Sequence, residues 1–337
     1  MKLDTGFLSS TLDDAGPAAK AAEDMGYDAL WTAETNHDPF FPLVIAAQHT
    51  KKIKLGTAIA VAFPRSPMVL AQTAWDLQAH SRGRFILGLG TQVRGHNERR
   101  FGVKWEHPGP KLREMIQMIH AIWDCWQNGS RPNFQGQFYN FTLMTPFFNP
   151  GPLPYPRPAI YIAGVNEYIC RLAGELCDGF HVHPFHSIKY LDEVVCPNIE
   201  RGLQKAGRKR SDVALSSTVF VVAGKDRAEI EAAKGPVRQQ LSFYASTPAY
   251  VGVLEAHGWG EAGRKLTELS KKGAWGEMGS VITDEMLDAY AVTGTYDDII
   301  DKIRKKYDRY LDRIAFYFPV SRNDAGTWRE IVRSFNG

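Results

Sequence analysis

The stretch from Ile53 to Gly102 constrains the fold more than any other part of the chain. It sets two short apolar runs, Ile53–Ala62 and Arg84–Leu89, on either side of a helix-length segment. Both runs lack polar alternation, the pattern of strands covered on both faces. Between them, Met68, Leu70, Ala71, Ala74, Trp75 and Leu77 recur at helical spacing over Pro67–His80. Ser66 supplies a cap and Pro67 the first helical position, where a missing N–H costs nothing. Ser81-Arg82-Gly83 ends the helix. The unit is β–α–β, and the chain reads as its repetition.

Further strands are expected at Leu3–Leu8, Tyr27–Ala33, Ala159–Ala163, Gly179–His183, Val213–Val222 and Arg313–Phe318. Helices are expected at Asp13–Met25, Phe40–His49, Glu167–Leu176 and Ile188–Ala206. Two connections exceed a plain crossover. After the fourth strand come an amphipathic helix, Lys111–Asn128, an aromatic hairpin, Phe134–Phe141, and the Pro/Gly-rich segment Pro146–Pro158. After the seventh, Asp226–Tyr310 reads as mainly helical, broken by glycines and closed by a helix over Thr295–Tyr310. This alternation predicts a (β/α)8 TIM barrel with insertions after strands 4 and 7, a single domain over residues 1–337. No G-x-G-x-x-G follows the first strand, which argues against a dinucleotide-binding open sheet.

Apolar residues make up 44% of the 337, ample for one large core, and the net charge is only +3. With no long basic stripe, nucleic acid is not an expected partner. None of the four cysteines forms a C-x-x-C pair, so buried reduced thiols are expected. No signal-peptide core and no run of transmembrane length is present, so the expectation is a cytoplasmic protein with no membrane partner. The apolar face of Lys111–Asn128 suits a homodimer interface and core packing equally.

In a barrel the ligand site lies on the loops after the strands. Loop two carries Glu34, His37 and Asp38; a histidine beside carboxylates can transfer protons, while Asp38 reads as a helix cap. Loop three, Ala58–Pro67, is rich in small residues that allow backbone to approach a flat ligand, or simply pack the mouth. Loop five, Gly164-Val165-Asn166, leads into a helix N-terminus suited to a phosphate, with Asn166 also an ordinary N-cap. His181 and His183 alternate along strand six and could share a metal. Strands one, five and eight end in Leu8-Ser9, Ala163-Gly164 and Phe318-Pro319, which supply no further ligands. The metal-dependent barrel hydrolase is therefore disfavoured, no metal is assigned, and these histidines are expected to line an organic substrate's pocket.

Four segments together resemble the bacterial luciferase-like monooxygenase superfamily, in particular its coenzyme F420-dependent (deazaflavin) branch: Ala18–Glu34, Gly56–Pro67, Ser81–Gly90 and Ile160–Gly179. The resemblance implies a cofactor lying across the C-terminal mouth of the barrel. It implies a non-proline cis peptide at Ala58–Ile59 backing the cofactor ring, and Asn97 and Glu98 near the cofactor on loop four. Ala163, Gly164, Val165 and Asn166 would wrap its phosphate. Many relatives place a catalytic histidine directly after Asp or Glu behind strand two; here Thr35 follows Glu34, and His37 stands two residues later. Loop four has Gln92-Val93 where dehydrogenases of the branch carry an acid.

The expected activity is hydride transfer between coenzyme F420 and a small-molecule substrate, with His37 as proton donor or acceptor and His181 and His183 in the substrate pocket. The alternative is a two-component FMN monooxygenase on the same barrel. A non-catalytic flavin-binding protein stands further off.

Overall fold

The computed structural model describes residues 1–7, 11–318 and 325–336. Eight parallel strands close into a barrel: β1 (Lys2–Phe7), β2 (Ala29–Thr32), β3 (Lys54–Thr57), β4 (Phe85–Gly90), β5 (Ala159–Gly164), β6 (Gly179–Val182), β7 (Ala214–Gly224) and β8 (Arg313–Phe316). Each pairs with the next, and β8 returns to β1 with Leu3 opposite Ile314. Leu8, Ser9 and Pro319 lie outside the described residues.

Outward-facing strand residues such as Leu3, Leu55 and Leu87 are fully buried beneath the helices, as the unbroken apolar runs require. The helices are α1 (Ala15–Met25), α2 (Phe41–His49), α3 (Pro67–His80), α4 (Arg94–Arg99), α5 (Pro108–Asn128) and α6 (Glu167–Leu176). Helix α3 starts as the sequence predicts: the Ser66 hydroxyl accepts from the Val69 amide at 3.2 Å, with Pro67 first in the helix. It packs on α5 through Trp75, Trp123 and Trp126, with ring centroids 6.3 and 5.5 Å from Trp75. At the N-terminal end of the barrel, Glu23 accepts the amides of Lys51, Lys52 and Ile53, tying α1 to the entry of β3.

Both insertions fall where the sequence places them. The first holds α4, α5 and an antiparallel hairpin in which Phe134 opposes Phe141. The second contains a strand that the sequence reading takes as helical or loop: Ala291–Thr295 runs parallel to the upper part of β7. Strand β7 therefore serves two sheets. Ala214–Val219 belongs to the barrel, while Phe220–Gly224 pairs with Ala291–Thr295 above its rim. The following helix spans Ile299–Tyr307, shorter than expected.

Candidate functional site

Alternation along the strands turns Asp4, Trp31, Tyr161, His181 and Arg313 into the barrel axis. Arg313 grips Asp4 with Nε–Oδ2 at 2.8 Å and Nη2–Oδ1 at 2.6 Å, and the Trp31 indole donates to Oδ2 at 2.8 Å. The His181 ring stands edge-on to Trp31, centroids 4.9 Å apart, and 5.2 Å from Tyr161. Glycines make room for these rings. A Cβ at Gly56 would fall 2.4 Å from Trp31, and one at Gly179 2.4 Å from Tyr161. Burial, with Arg313 adding, pushes His181 down to about 3 and keeps it neutral. The barrel is plugged.

Toward the C-terminal mouth the axis-facing residues become small: Gly6, Ala33, Ala58, Gly90 and Ala163. Gly6 is exposed, and Ala33, Ala58 and Ala163 are half-exposed, so a shallow recess with a backbone floor sits on the aromatic plug.

One wall of this recess is the bulge after β3. The Ala58–Ile59 peptide is cis, as the family resemblance implies. The Ala58 amide donates to the Thr32 carbonyl at 2.7 Å, and the Ile59 carbonyl accepts from the Glu34 amide at 3.0 Å. The Glu34 carboxylate takes the Val61 amide at 2.7 Å and an Arg65 nitrogen at 2.7 Å. Arg65 reaches on to Asp38 at 2.8 Å, while the other Asp38 oxygen accepts the Phe40 amide. Asp38 is thus a cap and a brace. The sequence reading placed Glu34 only as a carboxylate near His37 and gave Arg65 no role; the signal for their pairing was an acid at the end of β2 and a base inside GTAIAVAFPRSP.

His37 stands exposed on loop two, without a hydrogen bond among the described residues. The neighbouring Thr35 carbonyl is bonded by Arg100, which pins this loop to loop four. Asn97 is fully buried, and its amide nitrogen donates to the Thr91 and Val93 carbonyls at 2.9 and 3.1 Å. It shapes loop four from within. Glu98 is exposed and paired with Arg94 at 3.1 Å.

Asn166 caps α6, its side chain accepting from the Ile169 amide at 3.0 Å. The Glu167 and Tyr168 amides then remain as first-turn donors without an intrahelical acceptor. The Val165 carbonyl is held by the Tyr190 hydroxyl at 2.6 Å. Gly164 owes its identity to the protein itself, since a Cβ there would lie 2.5 Å from Ile169 Cγ2.

His181 and His183 do not share a site. His183 leaves the end of β6 for a cluster built from separate segments, 4.8 Å from Tyr244 and 4.3 Å from Tyr250 between ring centroids. The Tyr244 and Tyr317 hydroxyls bond at 2.6 Å, and Tyr317 stacks on Phe220. Although His183 as a residue is only half-buried, enclosure of its ring pushes it down to about 3, with His186 adding. Among the described residues no three His, Cys, Asp or Glu side chains converge to hold a metal ion. None of their helices is long and apolar enough to cross a membrane.

A closed parallel barrel with a braced recess at its C-terminal mouth defines a TIM-barrel protein with its candidate site on the loops after the strands. The chain belongs to the luciferase-like monooxygenase family, whose profile matches residues 3–313. It is 48% identical over 324 residues to an uncharacterized protein of Mycobacterium tuberculosis, covering 96% of this chain and 95% of that one. It is 31% identical over 309 residues to the 5,10-methylenetetrahydromethanopterin reductase of Archaeoglobus fulgidus, covering 89% and 88%. The fold superposes with a TM-score of 0.77, at 20% identity, on the coenzyme F420 dependent tetrahydromethanopterin reductase from Methanopyrus kandleri, covering 98% and 96%.

Proposed function

We propose that the protein transfers a hydride between coenzyme F420 and a small organic substrate at the C-terminal mouth of the barrel. The observation that carries this reading is the Ala58–Ile59 bulge, braced by Glu34 and Arg65, beside a recess floored by Gly6, Ala33 and Ala163. The residues fit such a group. Nothing within 4 Å except the Trp31 carbonyl would meet a Cβ at Gly6, so a flat ring can approach backbone there. The free amides at the start of α6 suit a phosphate. The Archaeoglobus relative, a reductase by name, supports the same class of chemistry.

When bound, coenzyme F420 supplies a ring carbon that accepts or donates hydride. Ala58 and Ile59 would back the ring, and Ala163, Gly164, Val165 and Asn166 would hold the phosphate end. Asn97 keeps the Thr91 and Val93 carbonyls in place, with Glu98 at the rim. His37, open to solvent, would hold or release the proton that accompanies hydride transfer.

Titration of the purified apo protein with coenzyme F420, FMN and FAD tests the assignment. Tighter binding of coenzyme F420 is expected. Equal or tighter binding of FMN moves the chain to the two-component monooxygenase reading.

A further inference from the structure

We infer that the substrate is an uncharged, planar conjugated carbonyl compound, seated against the wall of His183, Tyr244, Tyr250 and Tyr317 with its oxygen on His183 Nε2. The inference deepens the reading above and rests on it for the place of the reacting ring.

The donor follows from one hydrogen bond. His183 Nδ1 accepts the Phe185 amide at 3.1 Å, so in the neutral ring the proton sits on Nε2. Nε2 has no partner among the described residues and, within a largely enclosed ring, keeps some solvent contact that the Nε2 atoms of His181 and His186 lack. It is a donor waiting for an acceptor. Beside it the Tyr244 and Tyr317 hydroxyls are bonded to each other, and the Gln240 side chain also bonds Tyr244, so His183 Nε2 is the donor that carries the inference.

The shape follows from the rings. His183 contacts both Tyr244 and Tyr250, which also contact each other, and the cluster continues through Tyr317 to Phe220 and Phe318. Such a surface favours a flat unsaturated partner, by edge and face contact.

The charge class follows from the surroundings. Among the described residues, no Asp, Glu, Lys or Arg side chain bonds to His183, Tyr244, Tyr250 or Tyr317 or lies over their rings. The charged side chains of the bulge, Glu34, Arg65 and Asp38, are committed to one another, as are Asp4 and Arg313 in the plug below. A carboxylate or phosphate on the substrate would lose water and find no counter-ion among the described residues of this wall. Burial also keeps the three tyrosines protonated and His183 neutral.

The test is calorimetric titration of the full chain, with and without coenzyme F420, using benzylideneacetone, cinnamate and β-methylstyrene. These share a flat phenylpropenyl frame and differ in carbonyl and charge. Benzylideneacetone is expected to bind about tenfold more tightly than cinnamate, because the described residues of the wall offer no counter-ion. His183→Phe is expected to weaken benzylideneacetone about three- to tenfold, one hydrogen bond's worth, and to leave β-methylstyrene unchanged. Tyr250→Leu serves as the second variant should the first not fold, and is expected to weaken the ketone and the hydrocarbon alike. Cinnamate binding as tightly as the ketone, no probe binding, or a ketone affinity indifferent to His183→Phe overturns the inference. Retention of these ratios in a chain that does not bind coenzyme F420 supports the wall and overturns the cofactor reading instead.

Discussion

Asp4 and Arg313 meet inside the barrel through two hydrogen bonds of 2.8 and 2.6 Å, joining its first strand to its last. Both side chains are buried, so each is the other's main substitute for water. Arg313→Met strands the Asp4 carboxylate, and a loss of about 3–5 kcal/mol in urea unfolding is expected. The double variant Asp4→Leu/Arg313→Met is expected to lose clearly less than the sum of the single changes. Strict additivity would show that the two groups act separately.

The brace behind the bulge makes a different prediction. Arg65→Met leaves Glu34 and Asp38 without their cation, and the loop between β3 and α3 loses its anchor. Expected are about tenfold weaker coenzyme F420 binding and a stability loss of about 1–3 kcal/mol, since a charge-assisted network is broken. Arg65→Lys should recover part of both. Cofactor affinity that ignores Arg65→Met would remove the bulge from the binding site.

His37→Ala is expected to lower kcat about 100-fold or more, as loss of a general acid–base group does. Cofactor affinity should hold within about twofold, because no hydrogen bond ties this side chain to the recess among the described residues. Steady-state rates and a parallel binding titration separate the two effects. Full kcat in the variant would leave solvent or another group to carry the proton.

Gly164→Ala tests packing rather than ligand approach. Its Cβ would collide with Ile169, at 2.5 Å, and a loss of about 1–3 kcal/mol is expected from the overpacking. Ile169→Ala in the same chain should relieve much of it. A thermal or urea scan of the single and double variants gives the answer without any cofactor present.

The buried histidines set a pH dependence. Burial holds His181 at about 3 and His186 at about 4, both below the free imidazole. As pH falls below about 6.5 the unfolded chain takes up protons that the folded chain refuses, so their stability is complete above that value and is lost on acidification toward about 4. Unfolding in urea should show lower stability at about pH 5 than at about pH 7.5, and His186→Asn should reduce the difference by about 2 kcal/mol. A wild-type stability that is flat between these pH values would contradict the assignment of both rings as neutral.

Phe85–Gly90 and Ala159–Gly164 were legible because both faces are covered, which writes itself as apolar sequence, whereas strands such as KLDTGF and ALSSTVF carry polar residues and were legible from their place in the strand–helix alternation. Ala291–Thr295 was not, since AVTGT is short and glycine-bearing, and its status as a strand comes from a partner in β7. The cis bond was reached through a family motif rather than through any property of Ala58 or Ile59 alone. Glu34 and Arg65 stand 31 residues apart, so no local pattern joins them. The aromatic wall draws on β6, the second insertion and the end of β8, and only the closed barrel brings those segments together.

Strand β7 also gives the second insertion a single doorway. The chain departs after Gly224 and returns at Ala291–Thr295 along the same ladder, with Gly224 opposite Thr295. The segment between is therefore sewn to the barrel at its two ends by one short double hem, and touches the rim again through Tyr244, Tyr250 and His257. Tyr244 and Tyr250 belong to that hanging piece, while the bulge at Ala58–Ile59 belongs to the staves. The two parts of the candidate site are thus cut from different cloth: one from the barrel, the other from a piece stitched onto it.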